Sequence, residues 1–374
     1  MDLIKRSPYH HKFAELGAQF VDRIGFAAPF VFSSTEEEHL ATRNAVGLFD
    51  VYYQVAVDVA GSDAEAFLQQ VVVADVARLD VGRVVYASVC NEAGGMIDDL
   101  TCFRLASDQF WLFPTPSRVF AVVEALMTHK KTFNVVVTNL GYKSAYLSIQ
   151  GPKSRELLSR VTDGDVSGKA LPYFSFAHLK VADVPDVIVS RTGYSGELGF
   201  ELVYPVEYAE HLWSRVFAAG ADLGVRPCGL GALRTLRLEK KYVLYGLDAN
   251  ETTSPIECGL SWTVKLQKPD FTGKQALERQ KREGTARQLV LMEFDGMDFV
   301  PTAGASINVE GREVGKVTSA DRGYAVGKSL ALGFIPTALA KEDREVSVSS
   351  ADMTRPGKIR LKAVYDPEGH RVRQ

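Results

Sequence analysis

Asn91-Glu92-Ala93-Gly94-Gly95-Met96-Ile97-Asp98-Asp99-Leu100 is the stretch whose reading decides how the rest of this chain is understood. Apolar runs flank it, 84–89 before and 100–105 after, and the glycine pair supplies the positive φ that a tight reversal needs. The spacing predicts a β-hairpin. Its second strand begins with two adjacent carboxylates, and because side chains alternate across a strand, Asp98 and Asp99 point to opposite faces. Only one can face a given cavity. Taken alone, the pair reads first as turn chemistry with a solvated carboxylate. Given a cavity and a basic ligand nitrogen, it reads instead as a group that holds or accepts a proton at an amine.

Composition narrows the classes. With 374 residues, 46% hydrophobic and 24% charged, the chain is an ordinary globular protein with room for two or three domains that each bury a core. A net charge of −3 and the lack of basic runs point to neither nucleic acid nor a membrane surface. Cys90, Cys102, Cys228 and Cys258 have no CxxC spacing, so neither a zinc site nor a disulfide framework is indicated, and a reduced cytoplasm fits best. Residues 1–9 lack the apolar core of a signal peptide, and no run of about 18 apolar residues occurs. The seven histidines show no HExxH or HxxxH spacing and read as structural or surface residues, with no metal expected.

Along the chain, Thr35-Glu36-Glu37-Glu38 suits a helix start, its charges forming a solvated face. The run 48–57 ends in period-two alternation and predicts one strand. Ser62-Asp63-Ala64-Glu65 reads as a capping box ahead of an apolar helix face. After the hairpin come a strand at 110–113, a helix within 114–128 and a strand at 133–137, so 56–140 reads as a compact α+β unit. Further strands at 145–149 and 187–190 lead into Arg191-Thr192-Gly193-Tyr194-Ser195-Gly196-Glu197-Leu198-Gly199-Phe200-Glu201. Three glycines at this spacing let backbone approach something flat. Glu201 offers two coplanar acceptors, which match the coplanar N–H donors on the 2-amino-4-oxo edge of a pterin, although an exposed hairpin carboxylate is the plainer reading. Helices are expected at 207–223 and 230–241. Gly229-Leu230-Gly231-Ala232 lacks the third glycine of a dinucleotide fingerprint, with Arg234 in its place. An exposed linker helix at 277–285 and short strands from 287 onward complete an all-β terminal domain.

These blocks, taken in order, resemble the T-protein family: the folate-dependent aminomethyltransferases of glycine cleavage, the tetrahydrofolate-dependent demethylases, and the folate domains of dimethylglycine and sarcosine dehydrogenases. The resemblance runs essentially end to end, through Phe49-Asp50-Val51, the 91–100 stretch, Gln150-Gly151-Pro152-Lys153, 191–201, Leu236-Arg237-Leu238-Glu239, 257–262, Phe271-Thr272-Gly273-Lys274, Val317-Thr318-Ser319 and Tyr365-Asp366-Pro367-Glu368-Gly369. It implies an α+β fold, a three-domain ring or cloverleaf around a folate channel. Its parts are a discontinuous first domain (1–55 and 141–275), a ferredoxin-like α+β insert (56–140) and a C-terminal all-β, barrel-like domain (285–374). By the same resemblance Asp99, not Asp98, faces the reactive amine nitrogens of tetrahydrofolate, Glu201 binds the pterin edge, and Tyr86, Tyr194, Tyr242 and Trp262 line the channel.

The expected chemistry is transfer of a one-carbon unit to N5 of tetrahydrofolate in a dry pocket, with Asp99 as electrostatic partner or proton acceptor. No flavin-binding half accompanies these blocks, so transfer rather than oxidation is expected. Departures from the family pattern bear on the donor. Tyr52-Tyr53-Gln54 stands where Ser-His-Met is usual, Leu112-Phe113-Pro114-Thr115 replaces Val-Val-Asn-Ala, and Leu233 replaces an arginine. They leave three readings: aminomethyl transfer from a lipoyl H-protein giving methylenetetrahydrofolate, demethylation of a small N-, O- or S-methyl donor giving methyltetrahydrofolate, and folate-binding regulation without turnover.

Overall fold

The structure, a computed structural model, describes residues 4–351 and 353–374, so the first three residues of the expected 1–55 segment, and residue 352 of the expected 285–374 domain, lie outside it. The chain folds into two compact units. One takes the described residues up to Val55, Leu140–Arg237 and Glu368–Gln374; the other takes Ala56–Asn139 and Leu238–Pro367.

In the second unit the hairpin forms as the glycines require. Strand Val84–Cys90 pairs antiparallel with Met96–Ala106, placing Ser88 opposite Asp99 and Val89 opposite Asp98. Gly94 has φ +81°, and a β-carbon on Gly95 would come within 1.8 Å of the Glu251 carbonyl oxygen. Neither position accepts a side chain without strain or movement. The sheet runs Val84–Cys90, Met96–Ala106, Gln109–Pro114, Val57–Ala60, Val136–Asn139, antiparallel throughout, with helices Ala64–Val71 and Val119–His129 between its strands in sequence. Its last four members follow the split βαβ order of a ferredoxin-like unit, and Val84–Cys90 is an additional edge strand. The same unit carries a closed six-stranded barrel, Arg287–Asp295, Lys328–Pro336, Arg312–Gly323, Ser306–Val309, Glu345–Ser350 and Met353–Arg360. Phe294, Phe299, Ile307, Val348 and Ile359 are among the side chains filling its core.

In the first unit a six-stranded sheet runs Phe176–Val181, Val184–Ser190, Gly199–Pro205, Ser144–Gln150, Val46–Asp50, Val225–Cys228, antiparallel except for the final pair. Leu147, Ile149, Phe200 and Leu202 from its strands pack with Trp213 and Val216 of helix Ala209–Ala219. Residues 368–374 are part of this core region. Arg371 donates to Glu197 Oε2 at 2.7 Å and to the Arg43 carbonyl at 2.8 Å, while buried Arg191 donates to the Val372 carbonyl at 2.7 Å. No described helix is long and apolar enough to cross a membrane.

Three local expectations are corrected. The single strand at 48–57 is two strands, Val46–Asp50 and Val57–Ala60, in different sheets. Between them the Asp50 side chain accepts from Tyr52 N at 2.9 Å and Gln54 N donates to the Val51 carbonyl at 2.9 Å, so the alternation there is that of a buried turn. At 62–65 no side-chain cap forms on helix Ala64–Val71; Ser62 Oγ donates to Asp63 instead. Helix Thr35–Asn44 does start at the acidic patch, capped by Ser34 Oγ accepting from Glu37 N, but Glu38 is buried rather than solvated. Its carboxylate accepts three backbone N–H groups, from Phe32 at 2.6 Å, Ser33 at 3.0 Å and Gly229 at 2.7 Å.

Replacing that side chain strands three donors at once. Glu38→Ala is expected to lower unfolding free energy by about 3 kcal/mol or more, read by denaturant unfolding, whereas Glu36→Ala changes it by less than about 0.5 kcal/mol.

Candidate active site

The hairpin separates its two carboxylates as strand alternation dictates. Asp98 is fully buried, and its Oδ2 accepts from Thr115 N at 2.8 Å. Asp99, on the other face, is partly buried, and its Oδ2 accepts from Tyr86 Oη at 2.5 Å. Tyr86 reaches it because Ser88 is the direct partner of Asp99 and Tyr86 lies two residues away on the same face. The Tyr86 ring stacks on Trp262, with centroids 5.9 Å apart and planes 29° from parallel, and Trp262 remains 57% exposed. Asp99 Oδ1 is buried with no hydrogen-bond partner among the described residues. Burial pushes the Asp99 carboxyl up to about 6 against the Tyr86 hydrogen bond, which lowers it, with Asp248 adding a smaller upward push. Asp98 is raised as well, by burial and by the neighbouring Asp99 charge. The result is a carboxylate mostly ionised at neutral pH, with one oxygen held by a phenol and one available to a donor, beside an exposed aromatic platform. Such a set suits an aromatic ligand that carries basic nitrogens.

Glu201, in strand Gly199–Pro205 of the first unit, repeats this arrangement. Its partners across the two neighbouring strands are Ser148 and Ser190. Tyr146 Oη and Thr192 Oγ1, each two residues from those serines, both donate to Glu201 Oε2, at 3.0 and 2.5 Å. Burial raises its carboxyl above the ordinary value. Tyr194 is half-buried in the glycine-punctuated segment, and Tyr242 is half-buried beyond the end of helix Leu230–Glu239. The flat object that Gly193 and Gly199 approach is the chain's own Gln150 amide, to which a β-carbon on either would come within 2.2 Å.

Comparison with known proteins fits this architecture. The family model for the GCVT N-terminal domain matches residues 9–268, and that for the glycine cleavage T-protein C-terminal barrel domain matches 287–366. The chain belongs to the glycine cleavage T-protein family. Relatives of this T-protein chain include the aminomethyltransferase of Thermotoga neapolitana, 38% identical over 91% of this chain and 92% of that one. Another is the aminomethyltransferase of Desulforamulus reducens, 35% identical over 98% of this chain and all of its own length. Among solved structures, the glycine cleavage system aminomethyltransferase T from Bartonella henselae superposes with a TM-score of 0.87 at 28% identity, covering 97% of this chain and 99% of the other. The α+β fold with its C-terminal barrel is that of the T-protein family, and the chain is a one-carbon transferase of the aminomethyltransferase type.

Within the second unit the structure of this T-protein brings Asp99, Tyr86 and Trp262 together. Sequence reading missed the groups that serve the carboxylates from other strands and segments: Tyr146 and Thr192 for Glu201, and Tyr245 and Asp248 on the Asp99 side. The two-residue offset across a ladder identifies Tyr146 and Thr192 once strand partners are known. Tyr245, whose hydroxyl donates to the Met96 carbonyl at 2.9 Å, arrives from a segment with no such signal.

Asp99 has a folded value near 6 against about 3.9 for an unfolded chain, so the native state binds the extra proton between those values. Stability therefore falls as pH rises through that window, and the full cost is present above it. Asp99→Asn is expected to stabilise the protein by about 1–2 kcal/mol at pH 7, with the gain vanishing below about pH 4, as measured by unfolding at both pH values.

Proposed function

We propose that this chain transfers an aminomethyl unit to tetrahydrofolate, with Asp99 as the carboxylate at the reacting nitrogens and Glu201 as the anchor of the pterin edge. The observation that carries the reading is Asp99 itself: an ionisable carboxylate with one oxygen tied to Tyr86, the other buried and unpartnered, beside the exposed ring of Trp262. Bound tetrahydrofolate supplies N5 as the nucleophile. Asp99 accepts a proton from an amine, or balances the cation that develops there, and its raised value near 6 keeps it basic enough for the task. Tyr86 fixes which oxygen is occupied and so orients the carboxylate. Tyr86, Trp262, Tyr194 and Tyr242 are assigned to pack against the ligand's rings. Glu201, with both protein donors on Oε2, is oriented to accept from an amidine-like edge.

The aminomethyltransferase relatives favour aminomethyl transfer over demethylation and over regulation without turnover. The partner assigned on that basis is a lipoyl-bearing H-protein, and the one-carbon donor is the aminomethyl group it carries. The three-domain division 1–55 with 141–275, 56–140, and 285–374 is retained as the functional partition. A cytoplasmic setting suits four cysteines that are free and buried.

The test is product analysis. Aminomethyl-loaded H-protein with tetrahydrofolate is expected to give methylenetetrahydrofolate, the C–S bond breaking to return the lipoyl thiol and the amino group leaving as ammonia, and Asp99→Asn is expected to lower turnover by at least about a hundredfold. No turnover by the wild-type chain in that assay rejects the reading. In calorimetry Glu201→Ala is expected to weaken tetrahydrofolate binding by about tenfold or more, and an unchanged affinity removes Glu201 from the site. Turnover should fall as pH drops through about 6, because protonation of Asp99 removes the base.

A further inference from the structure

Within the second unit, residues 244–253 bond both to the Asp99 hairpin and to the barrel. On the hairpin side Tyr245 Oη donates to the Met96 carbonyl at 2.9 Å, and Met96 N donates to the Thr253 carbonyl at 2.8 Å. Asn91 Nδ2 donates to the Glu251 carbonyl at 2.9 Å. Arg118 pairs with the Glu251 carboxylate and donates through Nε to the Ile97 carbonyl at 2.9 Å. The close approach of Gly95 to the Glu251 carbonyl belongs to the same contact.

On the barrel side one residue makes the joint. Asp248 is buried, and its Oδ1 accepts from Thr318 Oγ1 at 2.5 Å and Ser319 Oγ at 2.6 Å, both on strand Arg312–Gly323. Its Oδ2 accepts from Leu244 N at 3.0 Å, which folds the segment back on itself.

We propose that Asp248 is a positioning residue for the one-carbon transfer: it anchors residues 244–253 to the barrel, so that this segment holds the start of the Met96–Ala106 strand that carries Asp99. The inference rests on the reading of Asp99 given above. Within the unit the titratable groups that act electrostatically with Asp99 are Asp98 beside it on the opposite face, Tyr86 on the paired strand, Tyr245, Cys258, and Asp248. Of these, Asp248 is the carboxylate that comes from outside the hairpin, and it pushes Asp99 toward its protonated form. A T-protein that needs Asp99 as a base near neutrality gains basicity from it.

Two variants of the full chain test the anchor. Asp248→Asn keeps the Oδ1 acceptor for Thr318 and Ser319 but places an NH2 donor against Leu244 N, so it loses the fold-back bond, and it is expected to lower kcat about threefold or more with the tetrahydrofolate KM within about twofold. Thr318→Val with Ser319→Ala cuts the anchor at the barrel. It is expected to lower kcat about tenfold, with the tetrahydrofolate KM within about twofold and the circular dichroism unchanged. Wild-type kcat in that variant overturns the positioning role. Asp99→Asn distinguishes the two levels: if it is inactive while Thr318→Val with Ser319→Ala turns over like wild type, only this inference fails, and if it remains active the assignment of Asp99 fails with it.

Discussion

A carboxylate set into a β-ladder and withdrawn from water stays usable as a base only if something donates to it, and a neighbouring strand is the nearest source of a donor. This chain meets that constraint twice in the same way. Asp99 lies opposite Ser88 with Tyr86 two residues along, and Glu201 lies opposite Ser148 with Tyr146 two residues along. The small serine directly across leaves room, and the longer phenol on the diagonal reaches the oxygen. One oxygen is thereby fixed without neutralising the charge. Asp98, one residue away and on the other face, is used differently: it is buried against Thr115 and serves the fold.

The Asp99 geometry depends on a hairpin that is clamped from outside itself. Gly95 is there because the Glu251 carbonyl leaves no space for a side chain, and Gly94 because the turn holds it at φ +81°. The same segment that crowds them also hydrogen-bonds Met96 and Asn91, so the strand carrying Asp99 starts from a defined point. Rigid support of this kind is what a reacting group needs when small displacements cost large factors in rate.

How much of this is legible in the sequence depends on the range over which each signal acts. The hairpin was readable because its glycines, its apolar flanks and its carboxylates all lie within about 25 residues, and the barrel strands were readable because turn residues separate them. The Leu48 to Val57 run was misleading: Asp50 closes a buried turn there, and the apolar character that suggests one strand belongs to a turn between two sheets. Glu38 looked solvated because nothing local reveals that Gly229, far along the chain, supplies one of its three donors. Gly193 and Gly199 were rightly read as permitting a close approach, but the approaching group is Gln150. The donors to Asp99 and Glu201 could be named only after strand register was known, since a single residue of slip would send Tyr86 and Tyr146 to the other side.

One feature of the first unit bears on how the polypeptide is made. Glu197 and Arg43 are buried as a pair, yet the second cation on Glu197 is Arg371, and Arg191 finds the Val372 carbonyl only among residues 368–374. Emerging from a ribosome, residues 4–237 must therefore wait, with part of a buried ionic cluster unpaired, while 130 further residues of the other unit (Leu238–Pro367) are synthesised. A chain truncated before residue 368 therefore lacks the cation and the carbonyl that complete the buried cluster of the first unit.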